Sequence, residues 1–171
     1  ASVSFMRQAS SRFSKDNWWG SFWSFGAGWL INKETWFKAP WIDELKLKAS
    51  YGENGNDQIG SYQFVKYFSI TNSNNNVSLT PSSLGNKEIS WEKNGKFNVG
   101  FDFGMFDNKF TGSVEYFSRK SSDMLYYKPI AGSLGYTKMP MNIGSMTNSG
   151  VEFDLAYNLL HTWAITWGLH L

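Results

Sequence analysis

Phe97-Asn98-Val99-Gly100-Phe101-Asp102-Phe103-Gly104-Met105-Phe106-Asp107-Asn108-Lys109-Phe110-Thr111-Gly112-Ser113-Val114-Glu115-Tyr116 decides the fold. Apolar Phe97, Val99, Phe101, Phe103 and Met105 alternate with Asn98, Gly100, Asp102 and Gly104. That period of two marks a strand with one greasy face and one polar face. Asp107-Asn108 tolerates positive φ and suits a two-residue hairpin turn. The following strand carries Phe110, Gly112, Val114 and Tyr116 on one face and Thr111, Ser113 and Glu115 on the other. A turn at Asp107-Asn108 pairs Met105 with Phe110, Phe103 with Gly112, Phe101 with Val114 and Val99 with Tyr116. Apolar then meets apolar throughout, and a one-residue slip would destroy the match. A ring at Phe103 also covers the glycine opposite it.

The same alternation recurs along the chain. It holds for Leu45 to Tyr51, Val151 to Leu159, Trp163 to Leu169 and Trp23 to Trp29, and more weakly around Val3 and Phe5. About seven main strands are expected. Tyr62 to Ile70 reads as extended without an apolar face. Thr71 to Lys87, rich in Asn, Ser, Thr and Gly, reads as a loop. A helical turn is expected around Glu34 to Lys38, before Pro40. Short links at Asp107-Asn108 and near Leu160-His161 fall on one end, and long loops after Gly52 and Tyr127 on the other. Short turns at one end and long loops at the other are the layout of an outer-membrane barrel.

Composition agrees with two-faced strands. Aromatics reach 18% of 171 residues while charged residues are also 18% and net charge is +2. The near-neutral balance gives no basic field for nucleic acid. Cysteine is absent, which excludes disulfides, thiolate metal sites and a Cys nucleophile. No run approaches the length of a transmembrane helix. No Ser/His or paired-carboxylate set is readable, so neither an enzyme nor a cofactor is expected. A soluble β-sandwich that binds carbohydrate shares the alternation. Against it stand Trp29, Tyr51, Tyr116, Tyr157, Trp163 and Trp167, placed near strand ends as in the aromatic girdles of membrane barrels. Gly26, Gly28, Gly100, Gly104, Glu115, Glu152 and Asp154 on the other faces suit a wet lumen.

The order of motifs resembles SusC/RagA-type TonB-dependent outer-membrane transporters. Ser10 to Asn17, with Trp19-Gly20, resembles SSRFGKDNRWG, and Leu45 to Gly52 resembles LKLRASYG. Gly55 to Gly60 resembles GNDNIG. Trp91-Glu92-Lys93, followed by Asn98 to Phe106, resembles WEKT and NIGLDFGFF. Ser121 to Leu125 resembles KTSDLL, and Asn142 to Glu152 resembles NIGSMRNRGVE. Asn94-Gly95 and Lys138-Met139-Pro140 depart from the pattern, and a change of loop shape is expected there. The resemblance implies an all-β, antiparallel up-and-down meander, residues 1–171 being part of a barrel of about 22 strands around a plug. It implies an outer-membrane setting in a Gram-negative bacterium of the Bacteroidota and import of a glycan or peptide. Its partners would be a SusD-like surface lipoprotein, and TonB through an N-terminal part outside this chain. Residues around Arg12 to Trp18, Gly52 to Ser90 and Lys128 to Met139 would face outside.

With strands reaching both termini, an open-edged sheet is expected, its first and last strands far apart. Substrate-contact candidates are Trp18, Trp19, Tyr62, Tyr126 and Tyr127, because loop aromatics stack on sugars; they also anchor barrels. Glu53, Asn54, Asn56 and Asp57 read as a solvated turn or, less favoured, a Ca²⁺ loop. His161 and His170 are expected at opposite ends of one strand, too far apart to share a metal.

Overall fold

The computed structural model describes residues 1–73, 76–161 and 166–170. Its strands are β1 (Ser2–Ala9), β2 (Trp19–Leu30), β3 (Ile42–Asn56), β4 (Tyr67–Ser73), β5 (Asn76–Ser83), β6 (Glu92–Met105), β7 (Phe110–Ser122), β8 (Leu125–Pro129), β9 (Lys138–Asn142), β10 (Ser145–His161) and β11 (Thr166–His170). One sheet runs β1-β2-β3-β6-β7-β10-β11, every pairing antiparallel, and β4-β5 and β8-β9 are separate two-stranded hairpins. This is the expected meander. Among the described residues β1 and β11 lie at opposite edges and do not pair.

The β6–β7 hairpin has the register its sequence dictates: Met105 opposite Phe110, Phe103 opposite Gly112, Phe101 opposite Val114 and Val99 opposite Tyr116. Asp107 and Asn108 both take φ near 58°, and the Lys109 N–H closes the turn on the Phe106 carbonyl at 3.2 Å. Successive pairings carry single rows across five strands. One row is Trp29–Leu47–Phe101–Val114–Phe153, and the next is Ala27–Ala49–Val99–Tyr116–Val151. Between them on the opposite face runs Gly28–Lys48–Gly100–Glu115–Glu152. The apolar rows are open: Val3, Phe25, Phe101, Val151 and Phe153 are all exposed, Phe153 at 67%. A sandwich would cover such a face with a second sheet. Among the described residues, no second sheet lies on it.

Several local expectations are corrected. The helical turn is at Ile31–Lys33, ahead of Glu34. Within Tyr62 to Ile70 the strand starts at Tyr67, and Tyr62 itself has φ 58° in a turn. Thr71 to Lys87 is mostly the β4–β5 hairpin rather than loop. Asn94-Gly95 lies inside β6 and Lys138-Met139-Pro140 inside β9, so neither departure is in a loop. Tyr116 sits in mid-strand, opposite Val99 and Val151. β10 continues through Leu160-His161, so the short link is not there; Trp163 and Ile165 lie outside the described residues. His161 and His170 belong to different strands.

Candidate functional site

Three connections meet at the long-loop end: 10–18, 57–91 and 123–144. They share a small core. Phe13 and Ile89 are 0% exposed, and Phe22, Ile59 and Trp91 close around them, flanked by Trp18, Phe64, Leu125 and Tyr127. Full burial of each such side chain stabilises by about 1.5–3 kcal/mol, enough to hold loops that have no periodicity of their own. Two glycines make room for the rings. A Cβ on Gly55 would lie 2.1 Å from Phe22 Cζ and 2.6 Å from Trp91 Cε3, and one on Gly20 would also strike Phe22.

Polar staples surround that core. Ser10 Oγ donates to Asp57 Oδ2 at 2.6 Å, and Arg12 Nη1 donates to the Asp57 carbonyl at 3.0 Å. Ser14 Oγ donates to the Lys87 carbonyl at 2.8 Å, and Asn17 Nδ2 to the Ile89 carbonyl at 3.2 Å. Glu92 accepts from Asn56 Nδ2 at 3.3 Å and from the Leu125 N–H at 3.1 Å. Asn142 accepts the Ser90 N–H at 2.9 Å and donates to the Ser90 and Asp123 carbonyls at 3.0 and 2.7 Å. Asn86 Nδ2 reaches the Pro140 carbonyl at 3.0 Å. Ser10, Arg12, Ser14, Asn17, Asn56, Asp57, Glu92 and Asn142 come from the quoted motifs, and their bonds to one another and to the backbone between the motifs tie the loops into a collar.

The aromatic candidates separate within this collar. Trp18 is partly buried against the core; its Nε1 donates to the Phe13 carbonyl at 2.7 Å, and its carbonyl receives Trp91 Nε1 at 3.1 Å. Tyr127 also packs on the core, with Lys138 Nζ 4.8 Å above its ring. Trp19 stands on the same face of β2 as Trp23 and Phe25, under the Arg7 guanidinium at 4.6 Å. Tyr62 and Tyr126 project to solvent, 68% and 60% exposed. Trp19 is exposed as well, so three of the five rings are open on the surface, while Trp18 and Tyr127 are packed against the core.

Glu53, Asn54 and Asn56 lie within β3 rather than in a turn, and the chain bends only from Asp57, where Asn56 Oδ1 accepts the Gln58 N–H at 3.0 Å. Glu53 receives the Tyr51 hydroxyl, Asn56 binds Glu92, and Asp57 holds Ser10 and Arg12. No group of three His, Asp or Glu side chains comes together among the described residues.

Sequence reasoning missed the polar-face network midway down the sheet. Lys48 Nζ lies 2.9 Å from Asp102 Oδ1 and 3.1 Å from Glu115 Oε2, and Asn98 Nδ2 donates to Glu115 Oε1 at 3.0 Å. Period two places all four on the polar face, but only the register makes them neighbours. Glu115 lies in the same cross-strand row as Lys48 and Asp102 in the next row, opposite Lys46, so Lys48 reaches both.

The short-link end carries its own aromatic cluster. Trp41 stacks on Phe106 at 6.3 Å, Trp36 lies 6.3 Å from Trp29, and Trp29 Nε1 donates to Glu34 Oε1 at 2.8 Å. Aromatics therefore mark both ends of the exposed apolar face. Trp19 and Trp29 are ten residues apart on β2. At about 3.3 Å per residue and a tilt near 40° they differ by roughly 25 Å in height, the thickness of an outer-membrane apolar band.

Residues 3–171 match the family described as TonB dependent receptor-like, beta-barrel. TonB-dependent receptor P39 of Formosa agariphila is 33% identical over 167 residues, 96% of this chain and 16% of that protein. TonB-dependent receptor SusC of Bacteroides thetaiotaomicron is 33% identical over 170 residues, 94% of this chain and 17% of that protein. Among solved structures, the RagAB peptide importer in its closed-closed state superimposes with a TM-score of 0.83 at 32% identity, covering 94% of this chain and 18% of that one. The chain thus spans about a sixth of the length of the curated relatives it matches. Those relatives are receptors and importers rather than enzymes.

Proposed function

The chain belongs to the TonB-dependent receptor-like β-barrel family, and from that premise we propose that it is a stretch of wall and rim of an outer-membrane nutrient importer of the SusC/RagA kind. The observation that carries the proposal is the two-faced sheet. Five registered strands expose continuous apolar rows on one face and Lys48, Asp102, Glu115 and Glu152 on the other. Lipid contacts the first face and a wet lumen, with its plug, the second.

In this frame the collar is the outer rim and the short links face the periplasm. A SusD-like lipoprotein sits on the rim, and TonB acts through a part of the receptor outside these residues. The cargo is an oligosaccharide or a peptide, met at the rim by Tyr62 and Tyr126, while Trp18 and Tyr127 hold their platform. Trp19, under Arg7 on the lipid side, anchors the wall. A carbohydrate-binding sandwich would need a second sheet over the apolar face, and none lies there among the described residues.

The test is uptake in the native host. Deleting the gene of the full receptor should abolish growth on one glycan or peptide source, and the tagged receptor should co-purify in detergent with a surface lipoprotein. Tyr62→Ala and Tyr126→Ala should each weaken binding of that cargo roughly fivefold, the worth of one lost aromatic contact. A receptor recovered in the soluble fraction would overturn the proposal.

A further inference from the structure

Above its apolar rows, the outward face changes character within two residues. The row Phe25–Tyr51–Phe97 is aromatic. Two residues further toward the rim on that face come Glu53, Gly95 and Lys120, then Lys93 opposite Ser122. A groove of about 340 Å³ lies across this boundary, lined by Tyr51 and Phe97 below and by Glu53, Lys93, Gly95 and Lys120 above. Ser118 and Ser122 complete its wall.

The register fixes how the two lysines meet. Lys120 is directly opposite Gly95, and Lys93 is opposite Ser122, so the lysines are diagonal neighbours on one face. Such neighbours sit about 7–8 Å apart at the backbone, and flexible four-carbon stems let both ammonium groups converge on one anion. Gly95 leaves a notch between them: a Cβ there would meet nothing nearer than the Tyr51 hydroxyl at 3.6 Å. Both lysines are exposed, and neither is ion-paired among the described residues, where the ion pairs are Arg12–Asp57, Lys48–Asp102 and Lys48–Glu115. Glu53 is the groove's single acid, and it is engaged by the Tyr51 hydroxyl. The groove is therefore positive at its upper end and apolar at its lower end, and its apolar floor continues into the exposed face. Arg7, on β1, is already occupied by the Trp19 ring.

We propose that this groove seats one anionic lipid of the outer leaflet, with its headgroup phosphate between Lys93 and Lys120 in the Gly95 notch and an acyl chain along Tyr51 and Phe97. The proposal rests on the membrane reading above. It adds a ligand class, a phosphate-bearing amphiphile, and a place where the wall selects among lipids. A free anion would use the lysines but not the floor; a neutral lipid would use the floor but not the lysines.

The experiment uses the full-length receptor, purified in detergent and titrated with diphosphorylated lipid A while native mass spectrometry counts bound lipid. Lys93→Ala with Lys120→Ala should weaken binding about thirtyfold, two lysine–headgroup contacts at their usual strength. Gly95→Val, which fills the notch and leaves both charges, should also weaken it. Lipid A stripped of its phosphates should bind wild type and the double variant alike, and added inorganic phosphate should not displace the lipid. Equal lipid A affinity in wild type and the double variant overturns the proposal, as does displacement by inorganic phosphate. Native folding of each variant is read from heat-shifted gel mobility. If wild type itself lacks that shift and leaves the membrane on carbonate washing, the importer reading fails first. An inserted, heat-shifted receptor with no lysine dependence defeats the lipid site alone.

Discussion

Replacing Phe153 by Arg separates a membrane wall from any water-soluble fold. Phe153 is 67% exposed and pairs across to Val114. In water, an exposed Phe→Arg change on a strand alters stability by about 0.5 kcal/mol in either direction. In a bilayer its position decides the outcome. Along β10 the outward residues run Ser149, Val151, Phe153, Leu155, Tyr157. Phe153 is four residues from Tyr157, about 13 Å along the strand and roughly 10 Å along the bilayer normal at the usual tilt. That is close to the middle of a band of about 25 Å, where Arg costs about 2–4 kcal/mol. The folding equilibrium should fall by about 30- to 1,000-fold. Glu115→Gln is the matched change on the other face. The amide still accepts from Asn98, and Lys48 keeps Asp102 at 2.9 Å. Its cost should be within about 1 kcal/mol. The assay is urea-dependent folding of the full-length receptor into phosphatidylcholine vesicles, read by heat-shifted mobility. If Phe153→Arg costs no more than Glu115→Gln, the apolar face does not meet lipid and the orientation is wrong.

Gly55→Ala should cost about 1–3 kcal/mol, because its Cβ falls 2.1 Å from Phe22 and two buried rings must move. Gly52→Ala is its control, since the nearest atom there, Ser24 Cβ, is at 3.5 Å; near-ultraviolet circular dichroism of the tryptophans should change for the first and not the second. Asn142→Ala removes a bond to the Ser90 N–H and bonds to two carbonyls. It should loosen the collar by about 1–3 kcal/mol, speeding proteolysis between Asp123 and Asn142 while the barrel keeps its heat-shifted mobility.

What the sequence disclosed follows from what repeats in it. The register from Val99–Tyr116 to Met105–Phe110 is readable because two alternating patterns must agree across a turn that Asp107 and Asn108 specify. Where alternation fails, legibility fails with it. Ile70, Val77 and Leu79 of β4–β5 are 72%, 67% and 65% exposed, so that hairpin has no buried face to impose a pattern. Its strands are held by their backbone ladder, with Pro81 beside a register shift at Tyr67/Phe68, where a missing N–H is tolerated. Among the candidate aromatics, Trp18 and Tyr127 look like Tyr62 and Tyr126 in sequence. Only the packing of Phe13, Ile89 and Trp91 distinguishes ring-in-core from ring-in-solvent.

The polar residues of the collar give the motif order a physical meaning. Ser10 finds Asp57 across 47 residues, Ser14 finds Lys87 across 73, Asn56 finds Glu92 across 36, Glu92 finds Leu125 across 33, and Asn142 finds Ser90 across 52. No helical or strand period links such positions, so each reads alone as an ordinary loop residue. Together they join all three long connections, and each bond closed shortens the loop that the next must close. Loop-closure entropy grows only slowly with length, so a few staples and one shared core suffice to hold long loops in place. The strands between them are fixed in register by their own alternation. The rim is therefore set by two independent systems, apolar rows below and polar staples above. A substitution in one should leave the other standing, which is why Asn142→Ala is expected to open the collar on an intact wall.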